Sequence, residues 1–151
     1  MKNKISVLLL LAICAFTGAA VADAGNYSSG VNLKPIMKLI DAGNFDPAIE
    51  KLNEELDNDP ENADILSLLG FSYRKTGRFD DALTYYQRAL KIEPKHRGAN
   101  EYLGQLYLDT NQLNKAKEQL EILDDLCFFR CKEFKKLKKA IENYQETSSN
   151  S

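Results

Sequence analysis

Three kinds of side chain in this 151-residue sequence could carry chemistry: thiol, imidazole and carboxylate. Cys127 and Cys131 lie four residues apart. On a helix that separation sets two Cα atoms roughly 6 Å apart, within the range a disulfide accepts, although the side-chain directions would require the helix to loosen there. Two buried free thiols, or a pair that senses redox state or a metal, are the other readings. The sensing role is weakened because the spacing is not the Cys-x-x-Cys of thiol oxidoreductases and two thiolates are half of a tetrahedral zinc site. The sequence has one histidine, His96, which follows Pro94 in what reads as a solvent-exposed junction. No second histidine completes a relay or metal site. No glycine-rich phosphate loop occurs, and the acidic residues are spread as solvated helix faces usually are. The inventory offers no catalytic residue, metal set or cofactor site, so no enzyme activity is expected.

The compartment bears on the thiols. Lys2 and Lys4 precede an apolar run from Ile5 to Phe16, broken by Ser6, followed by the small-x-small sites Ala20-Val21-Ala22 and Ala22-Asp23-Ala24. This is the layout of a secretory signal, and the run is too short for a bilayer span of about 20 residues. Residues 1–24 read as a cleavable signal and 25–28 as a short linker, giving a periplasmic or secreted protein. In an oxidising compartment the surviving pair Cys127 and Cys131 favours a structural disulfide. Lipoprotein anchoring through Cys14 is not expected, because Ile13 stands where a small residue is wanted. Cleavage after Ala22 removes two lysines and no acid, moving the formal charge from -2 to -4. Broad nucleic-acid binding would need a strongly basic domain with one clustered face, and this is not one. No second hydrophobic run follows, so the mature chain is expected to be soluble.

The elements that must position these residues repeat. Gly77-Arg78-Phe79-Asp80-Asp81-Ala82 has an echo 34 residues earlier, Gly43-Asn44-Phe45-Asp46-Pro47-Ala48, and another 34 residues later, Asn111-Gln112-Leu113-Asn114-Lys115-Ala116. In the unit 63–96, Leu66, Leu69, Gly70 and Tyr73 share one helical face. Gly77 ends that helix, with Asp80 the expected N-cap of the next. Ala82, Tyr86 and Ala89 alternate small and large groups on the second helix, and Pro94 stops it. Gly70 and Ala82 should let the axes come close. The unit 97–130 keeps Leu103, Gly104, Tyr107, Leu113 and Ala116 but has Phe128 in place of Pro94, so it is expected to run into a final helix with little or no break. The unit 29–62 is degraded, with Pro35 and Ile36 where the others have Leu-Gly; Asn32 is its expected N-cap and Ala42 the approximate end of its first helix. Residues 131–145 place Phe134, Leu137, Ile141 and Tyr144 on one face and five lysines elsewhere, the pattern of a helix that caps a repeat array. Glu133 and Glu142 dilute the lysines, so membrane contact is not expected. Residues 146–151 read as a disordered tail.

This period and pattern resemble the tetratricopeptide repeat, or TPR. The resemblance implies an all-α fold, a right-handed superhelical stack of three helix-turn-helix hairpins with a C-terminal capping helix. It also implies a concave groove lined by the first helix of each pair. Carried over by position, the first repeat would present Leu33, Met37 and Ile40; the second Asp64, Ser67, Phe71 and Arg74; the third Glu101, Tyr102, Gln105 and Leu108. Tyr102 and Phe71 could instead pack between repeats. TPR domains that grip a C-terminal carboxylate use Lys, Asn and Arg at positions held here by Leu33, Met37, Leu68, Gly98 and Tyr102, so that specialised function is not expected. The implied role is a non-enzymatic adaptor or assembly factor in the bacterial cell envelope, holding a peptide segment of another protein. A thiol-based redox protein using Cys127 and Cys131, or a peripheral membrane component, are the alternatives.

Overall fold

The computed structural model describes residues 31–149; the signal, the linker and Cys14 lie outside the described residues. Seven helices follow one another: α1 (Lys34–Asp41), α2 (Phe45–Asn58), α3 (Ala63–Lys75), α4 (Phe79–Ile92), α5 (Arg97–Asp109), α6 (Leu113–Leu126) and α7 (Lys132–Ser149). They pair as α1/α2, α3/α4 and α5/α6, and α7 packs on both α5 and α6. Among the described residues there is no strand.

The hairpin turn is built the same way three times. Gly43 and Gly77 adopt φ of 76° and 77°, and Asn111 reaches 59° in the third turn. This left-handed residue lets the next N–H reach back to a helix carbonyl: Asn44 to Leu39 at 2.9 Å, Arg78 to Tyr73 at 2.9 Å and Gln112 to Tyr107 at 2.7 Å. Each bond satisfies a carbonyl that the helix end would otherwise orphan. The second helices then start at Phe45, Phe79 and Leu113, so Asp80 lies inside the first turn and Arg78 holds the N-cap position. Asp80 acts there through its charge near the positive end of the helix dipole rather than as the expected cap.

The entry to each first helix differs. Asn62 caps α3 by accepting from Ile65 N–H at 3.1 Å, whereas α1 begins after Leu33 with no side-chain cap. The expected cap Asn32 accepts from Lys34 N–H at 3.3 Å, one step early, because Pro35 occupies the first turn and sets where the helix begins. Two further expectations are corrected at the C-terminal end. The chain breaks between α6 and α7 over residues 127–131, where Arg130 takes φ 52°. The last helix continues past 145, so residues 146–149 of the supposed disordered tail are helical.

Packing runs between successive layers. Ile36, Ile49, Leu52 and Leu56 meet Ile65, Leu66 and Leu69; Ala82 and Tyr86 meet Leu103 and Leu106; Leu123 meets Phe134, Leu137 and Ile141. Helix α7 continues the period as a further first helix: Leu69, Leu103 and Leu137, all buried, stand 34 residues apart. Gly70 is a place of very tight approach. A Cβ there would stand 2.6 Å from ring atoms of Tyr86, which is fully buried and has nowhere to go. Gly70→Ala should therefore destabilise the fold by roughly 1–3 kcal/mol through overpacking, and Gly70→Leu by at least as much. Urea unfolding followed by circular dichroism checks this; an unchanged midpoint would show that the ring can move.

Candidate functional site

Helices α1, α3, α5 and α7 form the walls of a groove made of two adjoining hollows, about 570 and 240 Å³. Met37, Leu68 and Tyr102 line both and join them. The larger hollow also meets Leu33, Asp64, Ser67, Gly98 and His96, and the smaller one Ile40, Phe71, Glu101 and Gln105. Nine of the eleven residues expected in the groove are thus brought together. Tyr102 serves both readings, since its ring lies 4.9 Å from Phe71 and 6.3 Å from Tyr86 while its edge lines the hollows.

Arg74 and Leu108 do not line the groove. Leu108 is buried in the cluster with Leu123, Phe134 and Leu137, because α7 covers the side of α5 from which it projects. Arg74 is buried and ties two repeats: Nη1 donates to Asp109 Oδ2 at 2.7 Å and Nη2 to Gln105 Oε1 at 2.9 Å. Gln105 in turn donates through Nε2 to Glu101. Asp109, Arg74, Gln105 and Glu101 thus form a polar row beneath the groove. Burial pushes the Glu101 carboxyl above the usual carboxylate range, opposed by the nearby Lys136 ammonium and the Gln105 bond. Ser67 Oγ and the Tyr86 hydroxyl are buried without a protein partner, and Ser67 faces the larger hollow. That hydroxyl is free to meet a donor or acceptor brought by an occupant.

Lys132, Glu133 and Lys136 of α7 also line the groove, and the sequence reading assigned them to the cap alone. The signal was present. Extending the 34-residue period once more carries Asp64 and Gly98 to Lys132, and Leu68 and Tyr102 to Lys136. His96 corrects a second expectation: its side chain is mostly buried. Nδ1 accepts from Ala99 N–H at 3.0 Å, capping α5 as Asn62 caps α3, and Nε2 lies 3.0 Å from Asp64 Oδ1. A neutral ring with its proton on Nε2 satisfies both bonds, so His96 ties α3 to the start of α5 rather than standing as an exposed junction residue.

Cys127 and Cys131 are also brought together, their Cα atoms 5.4 Å apart and their sulfurs at bonding distance. Cys127 is buried against the α6/α7 packing, and the two cysteines flank the exposed Phe128 and Phe129. Among the described residues no group of three or more His, Cys, Asp or Glu could hold a metal ion, and no helix is long and apolar enough to cross a membrane.

Residues 63–96 match the tetratricopeptide repeat family model. Two curated relatives are the uncharacterized protein ycf37 of Guillardia theta, 39% identical over 70 residues, and the rhomboid protease GluP of Bacillus subtilis, 27% identical over 146 residues. These alignments take in 46% and 97% of this chain but 39% and 29% of the relatives' lengths. Among solved structures, the first TPR domain of human RPAP3 superposes with a TM-score of 0.66 at 21% identity, covering 78% of this chain and 91% of that one. The type III secretion chaperone SycD of Yersinia enterocolitica, in complex with a peptide of the translocator YopD, gives 0.62 at 18% identity, covering 75% and 86%. The fold is an all-α stack of TPR hairpins.

The Asp64–His96 pair makes a pH prediction. The hydrogen bond from His96 holds the Asp64 carboxyl below its ordinary value of 3.8, against the opposing effect of partial burial. A depressed folded-state pKa stabilises above the unfolded value and loses that stabilisation as pH falls through the folded value. Asp64 is more than half exposed, so solvent screening holds the effect under about 1 kcal/mol. Wild type should exceed Asp64→Asn in urea stability at pH 5–7 by about that amount and converge with it below about pH 3. Parallel curves across this range would show that the carboxylate charge contributes nothing.

Proposed function

We propose that this chain is a non-enzymatic protein-interaction module that holds a peptide segment of another protein in the groove between α1, α3, α5 and α7. The carrying observation is the continuous trough whose two hollows meet at Met37, Leu68 and Tyr102. Met37 is 49% exposed, an apolar side chain left in water at the middle of a concave surface. Its burial by an occupant supplies binding energy, while Ser67 Oγ and the groove charges fix orientation. The SycD structure with a YopD peptide supports the reading by likeness of fold.

The setting we propose is the bacterial cell envelope, with residues 1–24 removed on export, and there the Cys127–Cys131 pair is oxidised and fastens α7 to the end of α6. The burial of Cys127 supports a structural tie over a reactive thiol, which needs access. The closed loop is short, so the tie acts mainly by holding the turn in place.

Two measurements test these readings. A photoreactive side chain at Met37 should crosslink to a discrete segment of a partner protein in cells, and Met37→Glu should weaken capture about tenfold with an unchanged unfolding midpoint. Capture unaffected by that substitution would remove the groove from consideration. Arg74 is unsuitable for this purpose, since replacing a buried, paired guanidinium unfolds the scaffold rather than probing the surface. Intact mass of the exported protein under non-reducing conditions should match a chain beginning at Asp23 or Gly25 with both Cys127 and Cys131 oxidised. A full-length chain would refute export, and two free, alkylatable thiols would return the redox reading to first place.

A further inference from the structure

Phe128 and Phe129 are 92% and 88% exposed at the turn between α6 and α7, their rings edge to face with centroids 4.8 Å apart. The other large hydrophobic residues exposed among the described residues, Met37, Ile92 and Ile122, are all less than half exposed. The base of the turn is anchored. Cys127 is buried, Cys131 is half-buried, and Arg130 turns the chain back with a left-handed φ of 52°. The two rings are therefore held out by a fixed base.

On the α7 side the charges that flank them are basic, while on the α6 side Asp124 and Asp125 are exposed. Lys132, Lys135, Lys136 and Lys139 recur at three- and four-residue spacings and are exposed on the side of α7 away from Phe134, Leu137 and Ile141, which face the core. Glu133, the acid in this stretch, has 12% of its side chain in water and turns toward the groove. Arg130 lies 3.7 Å from Asp124, Lys132 3.6 Å from Glu133 and Lys138 3.7 Å from Glu142, while Lys135 and Lys139 make no ion pair among the described residues. Sequence counting set Glu133 and Glu142 against the lysines; the structure withdraws the first from the surface and pairs the second.

We propose that the Phe128–Phe129 turn and the lysine face of α7 dock on an anionic bilayer surface, the rings entering at the boundary of headgroups and acyl chains and the ammonium groups meeting lipid phosphate. A projecting pair of rings needs a matching pocket on a folded partner but none on a bilayer, which deforms around it. The lysine face of α7 complements an anionic headgroup layer. Such docking would hold the module at a membrane while Met37 and its neighbours remain available to a peptide.

The test is sedimentation of the full chain with vesicles of phosphatidylcholine alone and with about one third phosphatidylglycerol. Binding should be about tenfold greater on the anionic vesicles at about 50 mM salt and should fall away at about 0.5 M, where screening shortens to a few ångströms. Phe128→Ser with Phe129→Ser should weaken it about tenfold, as should Lys135→Glu with Lys139→Glu, both with unchanged unfolding midpoints. The segment of residues 1–16, with Lys2 and Lys4 before its apolar run, would itself favour anionic vesicles but is common to every variant, so the paired substitutions assign the binding to the turn and to α7. The chain has no tryptophan, so Phe129→Trp adds a single probe whose emission should shift blue and be quenched by brominated acyl chains. Equal sedimentation on both vesicle types, an unshifted emission, or binding indifferent to the paired phenylalanine change would overturn the proposal. So would self-association or capture of an acidic protein that depends on the two rings without vesicle binding.

Discussion

Two glycines of first helices admit the tightest approaches among the glycines: Gly104 of α5 meets Leu137 of α7, and Gly70 of α3 meets the buried ring of Tyr86 in α4. At each place a first helix carries no side chain and a large apolar group from another helix fills the space. This sets how closely α3 lies on α4 within a hairpin and how closely α7 lies on α5 along the groove. Helix α7 obeys the constraint because Leu137 falls at the position that Leu69 and Leu103 hold in earlier first helices. It is therefore a cap and a groove wall together, apolar toward Gly104 and charged toward Tyr102.

A stack set by packing alone would leave adjacent repeats free to slide, since apolar contacts are not directional. The polar row beneath the groove adds direction. Arg74 in α3 reaches Asp109 and Gln105 in α5, and Gln105 reaches Glu101. Asp64 and His96 make a second tie, from the other end of α3 to the cap of α5. Buried ion pairs add little net stability because desolvation offsets their attraction, but breaking one strands its partner. Their consequence here is registry: two ties separated by most of the length of α3 hold the second and third repeats at one relative rotation.

The molecule then presents two surfaces of different character. One is concave and apolar along Met37, Leu68, Phe71 and Tyr102, the groove we propose holds a peptide. The other is the convex turn at Phe128 and Phe129, bordered by lysines. They share α7, whose Lys132 and Lys136 stand at the rim of the groove while Lys135 and Lys139 face away from it. A holding module with a surface of attachment is the functional picture these two faces support together.

Helix number, pairing and turns were legible in the sequence because they follow from local rules: three- and four-residue spacing for a buried face, Gly at the left-handed turn, and a 34-residue offset that restates both. Nine of the eleven groove residues were legible for the same reason, since equal positions in equal repeats face the same way. The failures have one source. Arg74, Leu108 and His96 were placed by their local position, but each is decided by a residue from another helix: Asp109 and Gln105, the cover of α7, and Asp64. The break at residues 127–131 was missed because Phe128 was read only as a missing proline, whereas the left-handed Arg130 turns the chain there. The sequence by itself determined a stack of helical hairpins and the inner face of each helix, because periodicity is a property of neighbouring residues. Only the tertiary structure decided which polar groups pair across repeats, that Glu133 turns inward, and that two phenylalanines remain in water, because those outcomes depend on how close one layer lets the next approach.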